Sequence, residues 1–364
     1  MNKIKAFLAR KGVVCSFRQY GVDALGAMAQ GLFCTLLVGT ILNTLGQQLH
    51  IGFLTAPVVS VGTVSYTVGG LASAMVGPGI AVAIGTALHC PPLVLFSLIP
   101  VGFAANAMGG AGGPLAVYAV TIIAAELGKL VSKETRIDIL VTPCVTVIAG
   151  IAVAQLIAAP IGTAARAVGL AIMWATELQP FFMGVLVSAL IGIALTLPIS
   201  SAAICAAFGL TGLAGGAAVA GCCAQMVGFA VMSFKENRWG GLVAQGVGTS
   251  MLQMPNILKN PRIWIPPTLA SMITGPLATC VFKLQMNGSP VSSGMGTCGF
   301  VGQIGVYTGW VSDIAAGTKA AITPMDWIGL VLICFILPAV LSMLFCRVLE
   351  KRGWIREGDM KLDL

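Results

Sequence analysis

Two stretches of this 364-residue chain gather hydroxyl and amide side chains within otherwise apolar sequence. The first holds Thr249, Ser250, Gln253 and Asn256. The second holds Asn287, Ser289, Thr297 and Gln303, together with Gly294 and Gly296. Neutral groups of this kind suit a polar solute that is uncharged or carries a single negative charge. The competing reading for any one of them is interhelical hydrogen bonding, worth about 0.6 kcal/mol each in membranes. A third candidate is Glu177 with Gln179, in Trp174-Ala175-Thr176-Glu177-Leu178-Gln179-Pro180. An acid at membrane depth marks a functional position, and Pro180 marks a break where backbone carbonyls could face a cavity. The alternative for Glu177 is a solvated place in an external connection.

Catalytic chemistry has no visible constellation. There is no Walker loop, no GxSxG elbow and no HExxH. The eleven cysteines form no CxxC and sit mostly inside apolar runs, as small buried hydrophobes do. His50 and His89 have no neighbouring carboxylates at ligand spacing. The sequence therefore leads us to expect no catalytic residue, no metal and no cofactor. Asn106, Gln155 and Gln225, isolated in apolar runs, read as helix-packing glue. Lys259, Arg262 and Lys283 read as side chains that snorkel to headgroups.

The elements that must position these residues follow from charge. No Lys or Arg occurs in the 110 positions between Arg18 and Lys129, and only Asp23 and Glu126 carry formal charge there. Charged residues are 9% of the chain, against about 25% in soluble domains. Mean hydropathy is +0.96. The net charge of +8 is spread over loops and ends rather than gathered into a patch, which excludes a nucleic-acid surface and fits topology determinants. The 46 glycines allow close helix approach and broken helices.

Basic residues Lys3, Lys5, Arg10, Lys11 and Arg18 precede the first apolar run, and Arg347, Lys351, Arg352, Arg356 and Lys361 follow the last. Both termini are thus expected in the cytoplasm, with the protein multi-pass in the plasma membrane. Spans are expected at about 24–45, 71–88, 91–107, 111–127, 137–159, 180–197, 199–213, 214–232, 265–282 and 325–346, ten in all. The expected organisation is a lead-in over 1–20, with Ile4, Phe7 and Leu8 on one face, then a membrane domain over 21–346 and a basic tail over 347–364. The connection after 159 is expected to be external.

Gly240 to Trp264 and Asn287 to Gly309 are too polar and glycine-rich for lipid, yet too apolar for ordinary loops. Irregular backbone at membrane depth needs cover from protein or a water-filled cavity, so both are read as re-entrant hairpins or unwound helices within a region of about 137–310. They echo each other, in Gly246-Val247-Gly248-Thr249-Ser250 and Gly294-Met295-Gly296-Thr297-Cys298. Paired broken helices point to a transporter's binding site. The two segments are expected to meet near the midplane.

The stretches GTSMLQMPNILKNPRIWIPPTLAS, GMGTCGFVGQIG and LTLPISSAAI (195–204) resemble the enzyme IIC-like membrane proteins of the phosphotransferase system, in the branch that includes perfringolysin-regulator-like proteins. The resemblance implies an all-α integral membrane fold of about ten spans with two re-entrant hairpins, a homodimer and elevator-type movement of a small solute of the sugar-like kind. The chain carries no IIB-like domain with a phosphorylatable Cys and no IIA-like His domain, and Ala175-Thr176-Glu177 is only a partial echo of a GITE-type motif.

The function expected from these readings is a permease for a small polar solute, sugar-like or a small anion. Its partners would be that solute, the bilayer and a second copy of the chain. Two alternatives stay open at this point. One is a membrane-embedded sensor or regulator. The other is the membrane subunit of a phosphorylating sugar uptake system with separate IIA and IIB proteins.

Overall fold

The structure is a computed structural model that describes residues 7–8, 10–13 and 16–362. The expected apolar face at Ile4 lies outside the described residues. The chain divides into two compact units, residues 1–164 and 165–364.

Unit 1 is an up-and-down helical bundle. Helix α1 (Arg18–Gln48) runs against the bent pair α2 (Val68–Ala74) and α3 (Val76–Ala87), which turn by 54° at Met75. Helices α4 (Pro92–Gly109) and α5 (Gly113–Val131) follow, then α6 (Asp138–Thr176), which carries the chain into unit 2. The apolar 40-residue stretch Pro92–Val131 doubles back at Gly110, where φ is +52°, so that Gly128 faces Val94. Glycine brings these helices together. A Cβ on Gly77 would run into the Gly102 carbonyl oxygen, and one on Gly102 into that of Gly77, so the two backbones are in direct contact at this crossing.

Among the described residues, five stretches are long and apolar enough to cross a membrane, or six if the bent pair counts as one span. The stretch that doubles back contributes two antiparallel helices. Large apolar side chains lie exposed along α6, including Ile139, Ile148, Leu156 and Leu170, as a lipid-facing surface requires. The protein is an all-helical, multi-pass membrane protein apart from one small hairpin.

One expectation changes here, and two features go beyond the sequence reading. The connection after residue 159 is helical, because α6 continues through Pro160 to Thr176. Its alanine-rich sequence keeps helix propensity after the proline. The expected span at 199–213 is instead the seven-residue helix α8 (Ser201–Ala207), ending before Gly209 at φ +61°. At about 1.5 Å per residue it is far too short to span. Finally, β1 (Val59–Val61) and β2 (Val64–Tyr66) form an exposed antiparallel hairpin. Gly62 supplies the positive φ of its two-residue turn.

Unit 2 is built around α9 (Gly212–Met232), whose apolar window is 89% buried, against 22–39% for the other four membrane-length helices. Helix α7 (Pro180–Thr196) runs parallel to it, and α12 (Ile265–Pro276) runs antiparallel. Gly221 and Gly275 sit where a Cβ would strike the Ser188 and Gly184 carbonyls. Helix α15 (Pro324–Lys351) and helix α14 (Val301–Ala315) complete the ring. Between them lie the short helices α8, α10 (Phe234–Val243), α11 (Met254–Lys259) and α13 (Pro290–Ser293), with tight turns between.

Candidate functional site

Irregular backbone meets the middle of α9. The turn Ala244–Gly248 packs against Cys298–Phe300, so the two polar stretches are neighbours within unit 2. The second stretch is a series of reversals, with positive φ at Gly296, Gly299 and Phe300. Gly296 is pressed against Cys222 and Cys223, and Gly294 against the Ser201 backbone of α8. The two G-x-G-T copies do not share a conformation. Thr249 is extended, at φ −158° and ψ 141°, whereas Thr297 has φ −83° and ψ 4°. The echo is one of sequence and neighbourhood, not of backbone geometry.

On α9, Cys223, Gln225 and Met226 each receive polar contacts. Gln303 Nε2 donates to Cys223 Sγ (3.2 Å), and the Thr297 hydroxyl donates to Met226 Sδ (3.5 Å). Gln225 Oε1 accepts from Trp264 Nε1 (3.0 Å) and from the Thr196 hydroxyl (3.4 Å), while its Nε2 donates to Thr268 Oγ1 (3.2 Å). Thr196 shares a 2.8 Å hydrogen bond with Ser250. Ser250, Thr297, Thr196 and Gln225 are fully buried. One atom in this belt is left over, because Gln303 Oε1 is buried without a hydrogen-bond partner. A buried, unpaired carbonyl is costly and marks a place where a donor from a ligand or a water could sit.

The belt absorbs three of the expected residues, Ser250, Thr297 and Gln303. Thr249 is beside it but accepts only from Met251 N within its own turn (3.2 Å). Gln253 and Asn256 lie in a separate amide chain with Gln245. Gln253 Nε2 donates to Gln245 Oε1, and Asn256 Nδ2 donates to Gln253 Oε1, both at 2.9 Å. Gln245 in turn donates to Ser233 at the end of α9 (2.8 Å).

Asn287 lies at the opposite end of α9. It accepts from Gly212 N (3.1 Å) and donates to Asp313 Oδ2 (2.8 Å). Twenty-one residues separate the two ends, about 30 Å of helix. Glu177 and Gln179 are exposed in the turn before α7, a 17-residue helix away from Thr196. The structure does not bring these three to the belt.

Sequence reasoning missed Thr196, Trp264 and Thr268, and it treated Gln225 as isolated glue. The signal was present at Gln225, a lone amide in the run AGCCAQMVG. An amide in so apolar a helix needs partners on other elements, but nothing in the sequence says which.

Unit 1 gathers a charged cluster at one end. Lys129, almost fully buried, pairs with Glu126 (2.8 Å) and donates to the carbonyls of Gly12 (3.0 Å) and Leu88 (3.3 Å). Arg10 and Lys11 both pair with Glu134. These groups line a cavity of about 340 Å³ with Pro91, Ser132 and Lys133, but most of its cationic donors are already engaged by carboxylates and carbonyls. Among the described residues, no group of three His, Cys, Asp or Glu side chains could hold a metal ion.

Unit 2 thus sets a largely buried central helix against apolar helices and broken backbone. The chain matches the phosphotransferase system EIIC family over residues 22–362, and it belongs to that family. No curated protein and no solved structure matches it significantly.

Proposed function

We propose that the chain is the permease component of a phosphotransferase-type system, and that it binds a small polar solute against the middle of α9. Ser250, Thr297 and Gln303 would make the first polar contacts, with Thr196 and Gln225 holding their geometry. The observation that carries this reading is the unpaired Gln303 Oε1, buried next to Cys223 where the two broken segments meet. It offers an acceptor to a solute hydroxyl. The thiol, thioether, hydroxyl and amide surroundings carry no formal charge, which favours a sugar-like or singly charged solute over a multiply charged one.

Because this belt lies wholly inside unit 2, we further propose that unit 2 carries the solute as one body, by elevator-type alternating access, in a homodimer with both termini cytoplasmic. Separate IIA and IIB proteins, the usual companions of an EIIC-type permease, would supply phosphorylation.

The test begins with a thermal-shift screen of the purified protein against sugars, sugar acids and small anions, followed by liposome uptake of any hit. Uptake should saturate. Gln303→Leu and Thr297→Val should each weaken it by roughly tenfold, the equivalent of ~1.4 kcal/mol, with unchanged elution as folded protein. Normal uptake in both variants would place the site elsewhere.

A further inference from the structure

The last residues of the described chain are bound to the rest of unit 2 by side chains, not by a backbone ladder. Helix α15 stops at Lys351, Gly353 takes φ +69°, and the segment 354–362 returns across the end of α9. Glu236 accepts through Oε1 from Gly358 N (2.9 Å) and through Oε2 from Met360 N (3.1 Å). Asn237 Oδ1 accepts from Leu362 N (2.8 Å). Asn260 Nδ2 donates to the Trp354 carbonyl (3.0 Å) and to Asp359 Oδ2 (2.7 Å).

The centre of this contact is a small donor site. Asn237 Nδ2 (2.8 Å) and Gln253 Nε2 (2.9 Å) both donate to the Met360 carbonyl, and Asn256 Nδ2 donates to the Lys361 carbonyl (2.8 Å). Three amide donors thus converge on two neighbouring oxygens. Gln253 is fully buried and Asn256 nearly so. Asn256 also lines a cavity of about 230 Å³ with Lys259, Gly358, Asp359 and Lys361. Amides that read main-chain oxygens read any similarly placed hydroxyl or carbonyl oxygens equally well.

The segment that fills the site is lightly held. Of its side chains, only Ile355 and Met360 are buried, while Arg356, Glu357, Gly358 and Lys361 are exposed. Its bonds at Trp354 and Gly358 are open to water and contribute little net stability each, while those at the Met360 and Lys361 carbonyls are buried or partly so. Few buried apolar groups and solvent-exposed backbone hydrogen bonds are the marks of a segment that opens locally.

We propose that residues 353–362 are a displaceable latch. The Met360 and Lys361 carbonyls occupy a three-amide site for solute oxygens, and the segment must leave before an oxygen-rich solute can enter from this end of α9. The proposal extends the reading of unit 2 as the solute-bearing unit, about 12 Å along the helix from the central belt. Its test needs no transport, so the two readings fail separately.

The test introduces Gln253→Cys into the full chain and into the same chain ended at Arg352. Reaction with a charged, water-soluble maleimide is then followed site by site by mass spectrometry. Residue 253 should react roughly tenfold faster without the latch, while Cys222 and Cys223, fully buried on α9, stay unreacted. Glu236→Gln in the full-length Cys variant should give an intermediate rate, because one of its two acceptors becomes a donor facing an N–H. An unchanged rate at residue 253 would overturn the latch. So would reaction of Cys222 and Cys223 alongside it, which would make the segment a structural clamp on the unit instead.

Discussion

The two units bury polar groups in different ways. Among the described residues, unit 2 buries eighteen polar or charged side chains and unit 1 buries six, and all five buried amides lie in unit 2. In unit 1, the buried hydroxyls of Ser97 and Thr146 fold back on their own helices, donating to the Leu93 carbonyl (2.6 Å) and the Thr142 carbonyl (2.8 Å). In unit 2 several reach other elements, as Ser188 does to the Ser271 carbonyl (2.7 Å) and Ser293 to the Leu210 carbonyl (2.6 Å). Unit 1 is therefore held chiefly by shape, through glycines that let backbones touch. Unit 2 adds a polar framework that fixes which broken segments adjoin which face of α9. Hydrogen bonds across helices demand particular residues at particular positions and give a defined arrangement of donors and acceptors, which a binding site needs and a plain scaffold does not.

If shape holds unit 1, the most damaging change there is one that separates two backbones. Gly77→Val should be that change, since the new side chain meets the Gly102 carbonyl, which belongs to a packed helix and cannot retreat. Overpacking of this kind costs about 1–3 kcal/mol and sometimes more. We expect a sharp fall in the yield of monodisperse protein on size-exclusion chromatography. Full yield and an unchanged melting temperature would break the contrast at its first term.

The second test sets one polar residue from each unit side by side. Gln225→Leu removes three cross-element bonds and strands Trp264 Nε1 in an apolar place. An unsatisfied buried donor costs about 1–3 kcal/mol, so the melting temperature should fall by several degrees. In unit 1 the Thr121 hydroxyl is buried and has no partner, so Thr121→Val should be neutral or stabilising. Equal destabilisation by the two substitutions would show that the framework of unit 2 contributes no more than an ordinary buried hydroxyl.

Much of this contrast is legible in the sequence, but unevenly. The membrane class follows from the 110-residue absence of basic side chains, and the family resemblance follows from residues such as GTSMLQMPNILKNPRIW. The two irregular stretches announce themselves because polar and glycine-rich sequence cannot face lipid. What fails to show is pairing. Ser250 and Gln253 stand three positions apart, yet one joins Thr196 and the other joins Met360, because the turn between them points successive side chains to different elements. Nor does the sequence mark α8 as a fragment. Ser201–Ala207 is apolar enough to pass for part of a span, and it ends where the chain turns at Gly209, with φ +61°. The docked tail was equally hidden, since its bonds are made by its backbone, which carries no residue signature.

The smallest expected effect concerns the charged end of unit 1, where polar contacts do the holding that shape does elsewhere. The hydrogen bond from Lys11, with the nearby Arg10 and Lys11 charges, holds the Glu134 carboxyl below its ordinary range. A carboxylate whose pKa is depressed by folding contributes stability that is fully present above its unfolded value and is lost as pH falls through the folded one. Glu134 lies in the turn between α5 and α6 and is open to solvent, so screening keeps the effect local. As the pH falls from about 4 downward, below the ordinary carboxylate range, the segment 10–13 should loosen while unit 2 stays unchanged. Amide hydrogen exchange over that segment, normalised at each pH to the unfolded peptide, should rise as the pH drops. Glu134→Gln should show the same raised exchange already at pH 7 and no further change on acidification. Exchange that rises equally on acidification in the wild-type chain and in the Glu134→Gln variant would locate the titrating group elsewhere. It would also leave the Lys129–Glu126 pair as the ionic contact that holds the charged end of unit 1.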